Sequence, residues 1–395
     1  MPTRQRLAAG LESVDSGFGD RHVEFPDVEI DTSAKSPLTR WISRAQNAAS
    51  TVGTAVLPKL PTPAKRALTG GREVVIDGNT LDLTLRLALL GLQGAGMDSL
   101  VTRDDPALSR ARMRQMLTGL PGPQVHVDVE ELTVHGPAGD IPARLYRAPS
   151  EQPSPLLVFY HGGGWVLGDL DTHDGLCRLT CRDGAVNVLA VDYRLAPEHP
   201  APAAIDDALA AFDWACEHAA ELGAIPGRVA VGGDSAGGNL AAVVSLLARD
   251  RAHDTGGPTP ILQWLLYPRT DFTANTLSLN LFARGFLLTR RDIDWFHAKY
   301  LRGSGIDPAD PRVSPIYAES LGGLPPTLIA VAGFDPLRDE GQTYAAALQA
   351  AGNQVDLRCL GSLIHGFASL SALGGASAIA TAELISALRA HLSRV

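Results

Sequence analysis

The chain has 395 residues, 45% of them apolar and 19% charged, so it is long enough for a large core and too apolar to be disordered throughout. Asp and Glu outnumber Lys and Arg by 43 to 34, for a formal charge of −9. With no basic run, nucleic acid is not an expected partner. The opening residues lack the apolar segment of a signal peptide, no stretch approaches the roughly 18 apolar residues of a membrane span, and four scattered cysteines make no disulfide scaffold. A cytoplasmic location is the expectation.

In chain order, residues 1–75 read as an N-terminal extension of unassigned role. Helical patterns at 38–51 and 61–68 are interrupted by Pro58, Pro61 and Pro63. Residues 76–122 predict two helices. The first, 81–92, reads LDLTLRLALLGL; the second, 104–120, is closed by Pro121, Gly122 and Pro123. Two helices before any strand are a poor start for a sheet and predict a cap over a site made later in the chain. The apolar run 81–92 is also a possible lipid contact.

From residue 123 the pattern changes to strands. Alternating segments at 127–134 and 141–146, joined by a turn at 136–140, predict an antiparallel edge hairpin. Apolar runs follow at 155–160, 186–192, 229–231, 261–267, 327–332 and 355–360. Helical patterns lie between or after them at 176–183, 203–222, 239–250, 341–351 and 379–392. Near-continuous apolar strands alternating with helices predict an α/β fold whose eight-stranded, mostly parallel sheet is covered by helices on both faces. The roughly sixty residues between the strands ending at 267 and starting at 327 are too many for a plain connection. Within them, 270–315 are expected to contribute to the cap, and include the stretch 275–287 and a helix at 291–301. The strand at 355–360 could pair across a two-fold axis in a homodimer.

The chemistry centres on residues 228–242, RVAVGGDSAGGNLAA. A short strand, the pattern G-x-S-x-G and a helix follow one another, which is the setting of a nucleophile elbow carrying Ser235. A serine hydroxyl needs a base, and the base needs an orienting group. His365, in LIHGF, and Asp335, in GFDPLRDEG, both follow late strands. Asp339 and Glu340 rival Asp335, although either can simply face a helix N-terminus. His218, His253, His297 and His391 read as surface or packing residues; His199 sits in a proline-rich loop. After the strand PLLVFY comes His161-Gly162-Gly163-Gly164-Trp165. Gly163, Gly164 and Ala236 are candidate N–H donors to an oxyanion, with His161 bracing the loop. Arg194 and Glu198 are expected to pair and pin the neighbouring loop. Cys177 and Cys181 read as buried small side chains rather than a metal site.

Taken together, HGGGW at 161–165, YRLAPE at 193–198, GDSAGG at 233–238, DPLRDEG at 335–341 and HGF at 365–367 resemble the hormone-sensitive-lipase-like family of α/β hydrolases. GFLLT at 285–289 and DPRVSP at 310–315 are also similar to its blocks. The resemblance spans roughly residues 80–390. It implies a serine carboxylesterase with Ser235 as nucleophile, His365 as base, Asp335 as acid, and an oxyanion hole from Gly163, Gly164 and Ala236. It further implies a cap, a small-molecule ester of short to medium acyl length, and no metal or organic cofactor. Two departures stand out: the 75-residue extension, and HPAPAA after Glu198 where the family often has Phe-Pro. A lipase, or a deacetylase or amidase, would use the same machinery. A non-catalytic ligand-binding protein would be expected to have lost Ser235 or His365.

Overall fold

The computed structural model describes residues 56–120, 125–150 and 152–395. The expected helix at 38–51 and the Pro121–Pro123 stop lie outside these residues. A short helix α1 (Thr62–Leu68) leads into a small hairpin, β1 (Val75–Ile76) and β2 (Asn79–Thr80). Helices α2 (Leu83–Gly94) and α3 (Pro106–Thr118) follow, N-capped by the side chains of Asp82 and Asp105. The core then runs β3 (Asp128–Gly136), β4 (Gly139–Arg147), β5 (Ser154–Tyr160), α4 (Leu170–Gly184), β6 (Asn187–Val191), α5 (Ala203–Glu217), β7 (Ala224–Asp234), α6 (Ala236–Thr255) and β8 (Gln263–Leu266). After two inserted helices, α7 (Leu277–Leu281) and α8 (Arg290–Leu301), it closes with β9 (Thr327–Phe334), α9 (Arg338–Ala350), β10 (Val355–Ile364) and α10 (Gly375–Leu392).

The main sheet has eight strands in the order β10-β9-β8-β7-β5-β6-β4-β3. Pairing is parallel from β10 through β6 and antiparallel for β6–β4 and β4–β3. The eight strands and the antiparallel edge hairpin are as the apolar runs predict. Alternation along β5 shows why: Leu156, Val158 and Tyr160 join a cluster with Phe212 of α5 and Leu240 of α6, while Leu157 and Phe159 join another with Cys177 of α4 and Leu384 of α10. Each fully buried large side chain contributes roughly 1.5–3 kcal/mol, so both faces must be covered. α4 starts six residues before its expected position. A capping box between Asp169 and Thr172 fixes that start.

The expected cap helices are placed differently from one another. Met113, Met116 and Leu117 of α3 line the cavity described below, whereas no residue of α2 does. α2 instead buries Leu85 and Leu89 in the same apolar cluster as Leu370 and Leu373. Within 275–287 only the short α7 is helical, and Gly285 and Leu287 take positive φ of 88° and 75° before Thr289 caps α8. α8 is tied to the chain ahead of α3. Asp292, fully buried, accepts from Val101 N at 3.0 Å, and Lys299 Nζ lies 3.1 Å from Asp104. Among the described residues, no helix is long and apolar enough to cross a membrane.

Candidate active site

The parallel strands bring their carboxyl ends to one edge of the sheet, where an α/β fold gathers its functional groups. Tyr160 ends β5 before His161, Asp234 ends β7 before Ser235, Phe334 ends β9 before Asp335, and Ile364 ends β10 before His365.

Ser235 sits between β7 and α6 with φ 55° and ψ −114°, a backbone state costing about 1–3 kcal/mol for a non-glycine residue. Its N–H is held by Leu266 O at 2.8 Å. The turn closes only because its flanks lack side chains. A Cβ on Gly237 would collide with the carbonyl of Tyr160, and one on Gly233 with the backbone of Gly237. The His365 Nε2 atom lies 2.9 Å from Ser235 Oγ, and its Nδ1 lies 2.8 Å from Asp335 Oδ2. Asp335 is fully buried, and its other oxygen accepts from Leu337 N at 2.8 Å. Tyr267 meets the His365 ring edge-on at 4.9 Å between centroids. A hydroxyl, an imidazole and a carboxylate in this chain can pass a proton from Oγ to Nε2 and so make the serine nucleophilic. The rival carboxylates are engaged elsewhere. Asp339 accepts from Ser278 N at 2.8 Å and pairs with Arg338, and Glu340 pairs with Arg269 at 2.6 Å.

The glycine loop after β5 is shaped by contacts that tolerate no Cβ. Gly163 (φ 122°) would strike the carbonyl of Leu167 and Gly164 (φ 62°) the ring of Phe296. The Gly163 carbonyl turns back to accept from Leu167 N at 2.8 Å. Among the described residues, the N–H groups of Gly163, Gly164 and Ala236 have no partner, and all three residues line the same cavity as Ser235. Ala236 is also the first residue of α6, where the helix dipole is positive. Such groups can stabilise an oxyanion.

His161 lies under this loop. Its Nδ1 is 2.8 Å from Gly162 O, its ring stacks on Tyr193 at 4.4 Å, and Tyr193 Oη donates to its carbonyl at 2.6 Å. Burial, with help from the neighbouring His173, depresses its pKa to about 4, so it braces the loop as a neutral ring. Two residues in this layer escaped the sequence reading. Asp234 accepts from Gly162 N at 2.7 Å, joining the elbow to the glycine loop, and His173 Nε2 lies 3.1 Å from the same oxygen. Burial, the largest single influence, would raise the Asp234 pKa, but the charge and hydrogen bond of His173 together with the Gly162 N–H outweigh it and hold the carboxyl below its usual range. Burial would likewise lower His173, and Asp234 outweighs it in the opposite sense. The available signal was an acidic residue inside a buried motif, which needs a partner.

The expected Arg194–Glu198 pair does not form. Arg194 turns to Asp207 of α5, which is buried and takes Nη2 at 2.7 Å as well as the Arg194 backbone N–H at 3.0 Å. Glu198 is bound instead by Arg110 of α3 at 2.6 Å. Arg110 also donates to Val166 O at 2.7 Å and Ala196 O at 2.8 Å. The loop beside the glycines is therefore pinned from α3, 86 residues away in sequence.

Above Ser235 the cavity holds about 720 Å³ of space between atoms, its mouth included. Leu287, Leu288, Ile293 and Phe296 wall one side and Met113, Met116 and Leu117 of α3 another. His297 also lines it, stacked on Phe272 at 4.2 Å and therefore a packing residue. Among the described residues, no cluster of three or more His, Cys, Asp or Glu side chains is placed to hold a metal ion.

Known proteins resemble this chain closely. A family model described as the alpha/beta hydrolase fold matches residues 157–369. The carboxylic ester hydrolase LipN of Mycobacterium tuberculosis (strain ATCC 25618 / H37Rv) is 68% identical over 356 residues, covering 90% of this chain and 95% of that one. An ethyl acetate hydrolase of Pseudomonas putida is 38% identical over 255 residues, 64% and 79% of the two chains. The hyperthermophilic esterase of the archaeon Pyrobaculum calidifontis superposes with a TM-score of 0.72 at 36% identity, covering 78% of this chain and 98% of that one.

Proposed function

This chain belongs to the hormone-sensitive-lipase-like family of α/β hydrolases and is a carboxylic ester hydrolase; from that premise we propose that it works through Ser235, His365 and Asp335 on esters of short to medium acyl length. Ser235 Oγ attacks the ester carbonyl as its proton passes to His365 Nε2. Asp335 fixes the imidazole so that Nε2 is the accepting nitrogen and steadies the imidazolium that forms. The carbonyl oxygen, now negative, is received by the N–H groups of Gly163, Gly164 and Ala236. His365 then gives its proton to the leaving alcohol. Water, activated by the same imidazole, attacks the acyl-enzyme and regenerates Ser235.

The observation that carries this reading is the contact on both sides of one imidazole, 2.9 Å to Ser235 Oγ and 2.8 Å to Asp335 Oδ2. The chain-length assignment draws support from the cavity. Its water-accessible volume is only about 70 Å³, and its walls are mostly apolar. The Pseudomonas putida relative, named for ethyl acetate, agrees with a short acyl group. Segment 270–315 and helix α3 serve as the cap, since both place apolar side chains in the walls around Ser235.

The test is turnover of 4-nitrophenyl esters with acyl chains of two to sixteen carbons by the native protein and by Ser235→Ala. Native activity is expected to peak at the short end. The variant is expected to lose turnover by about 10⁴-fold or more and to lose covalent labelling by an alkyl phosphonate, while keeping its unfolding transition. Near-native turnover in the variant would refute the assignment, and peak activity on the sixteen-carbon ester would refute the chain-length reading.

A further inference from the structure

Arg269 follows Pro268 off the end of β8, is only 4% exposed, and lines the cavity with Ser235. Its backbone N–H lies 3.4 Å from Ser235 O. An arginine keeps its proton under any condition a folded protein meets. A permanent cation is thus buried in a cavity whose other walls are mostly aliphatic and aromatic.

Glu340 compensates this charge incompletely. Nη1 donates to Glu340 Oε2 at 2.6 Å, but Oε1 is spent on Thr270 N at 2.7 Å. The carboxylate therefore engages one nitrogen rather than gripping the guanidinium as a fork. Among the described residues, Nε is buried without a hydrogen-bond partner and Nη2 donates to nothing. The Phe272 ring, 5.6 Å from the guanidinium carbon, covers it but takes no N–H. The other carboxylates lining the cavity or bordering it are occupied: Asp234 by Gly162 N and His173, Asp335 by His365 and Leu337 N. His297, held neutral mainly by burial, adds no competing positive charge. With Nε closed off from the cavity, Nη2 is the nitrogen left to meet a ligand, and a carboxylate is the partner that binds a guanidinium N–H most strongly. Leaving such a donor unmade in a buried charged group is costly, and a purely apolar substrate would leave it so.

We propose that Arg269 is a specificity-determining residue whose Nη2 group receives a carboxylate, so that the preferred substrates are esters bearing a second, free carboxylate group. This rests on the serine-esterase reading of the same site and names the substrate class it takes. The carboxylate can belong to the acyl half, as in a dicarboxylate half-ester, or to the alcohol half.

Two substrate pairs separate these sources. 4-Nitrophenyl hemisuccinate against 4-nitrophenyl pentanoate places the charge on the acyl half. 4-Acetoxybenzoate against 4-acetoxybenzamide places it on the alcohol half. For each pair, the ratio of kcat/KM, charged over neutral, is measured in the native enzyme, in Arg269→Lys, and in a double variant combining Arg269→Met with Glu340→Gln. The double variant removes both charges together, so no buried carboxylate is stranded. In one pair the native ratio is expected to be near or above one and to fall roughly 10- to 100-fold in both variants, mainly through KM. The pair that responds identifies which half carries the carboxylate. A native ratio below about one-hundredth in both pairs overturns the proposal whether or not the variants fold. So does a change under threefold in both pairs on replacing Arg269. Either result, with the pentanoate ester still turned over, leaves the serine-esterase reading intact. Native failure on the neutral esters and labelling at a residue other than Ser235 would instead remove that reading.

Discussion

Replacing Asp335 by Asn is the sharpest probe of the site, because the two side chains are nearly isosteric and the structure dictates how the amide must sit. Asp335 Oδ1 accepts from Leu337 N at 2.8 Å and Oδ2 faces His365 Nδ1 at 2.8 Å. An asparagine must keep its oxygen on the Leu337 N–H; the flipped amide would set two donors against each other in a fully buried place, costing about 1–3 kcal/mol. Its NH₂ then points at His365 Nδ1, which must become an acceptor. The imidazole proton moves to Nε2, 2.9 Å from Ser235 Oγ, and the nitrogen that should take the serine proton becomes a donor. The expected result is a fall in kcat of about 10³–10⁴-fold, equivalent to roughly 4–5.5 kcal/mol of lost transition-state stabilisation. Continuous release of 4-nitrophenol from the butyrate ester measures it, with urea unfolding to show that the fold persists. Asp339→Asn is the companion. Asp339 serves Ser278 N and Arg338, so it should cost stability and leave kcat within a few-fold. A fall below tenfold in Asp335→Asn, or an equal fall in Asp339→Asn, would refute the reasoning.

Gly164→Ala should lose at least about 10²-fold in kcat, because its Cβ would run into the Phe296 ring; adding Phe296→Ala should recover part of the loss, whereas Gly163→Ala, blocked by the Leu167 backbone, should not be rescuable. His297 is held neutral in the folded state, its pKa pushed down to about 2 by burial first and Arg269 second. With the unfolded value near 6.5, its share of stability is complete above that pH and is lost as pH falls toward the folded value. By linkage the loss is about 2 kcal/mol at pH 5, and His297→Phe, which keeps the stack on Phe272, should remove that part of the acid destabilisation measured by urea titration. Glu198→Gln should change stability by under about 1 kcal/mol, since Glu198 is largely exposed. Arg110→Met should cost more, roughly 2–3 kcal/mol, and lower kcat, because it also releases Val166 O and Ala196 O beside the glycine loop.

What was legible in the sequence is what local chemistry dictates. Strands buried on both faces must be apolar throughout, so β5 to β9 declared themselves as short runs. The elbow could be read because its turn admits only small flanking residues, and the proposed acid and base because each follows a strand directly. The start of α4 was obscured by polarity: Thr172 and His173 are buried there, which breaks the apolar periodicity, although the Asp169–Thr172 box was present to be read. The partners of Arg194 and Glu198 were misassigned because a nearby opposite charge in sequence is weak evidence against a buried carboxylate on the next helix. Asp207 is only 1% exposed and would be stranded without Arg194.

The same asymmetry explains why the polar layer beneath the glycine loop was invisible while the proposed reacting groups were not. Ser235, His365 and Asp335 are specified by motifs that fix backbone shape, and backbone shape is local. Asp234 and His173 are specified by each other across 61 residues, and Arg110 and Glu198 across 88, and nothing local to any of them names its partner. Their energetic logic is nonetheless strict. Asp234 cannot be buried 4% exposed without a donor and a cation, and Gly162 N and His173 are what the fold supplies. By that standard Arg269 is the exception in this site: its charge is answered once, by Glu340, and its remaining N–H groups are not. A buried arginine left with N–H groups unpaired beside Ser235 is the polar demand that the protein itself leaves unmet, and a carboxylate-bearing ester would meet it at Nη2.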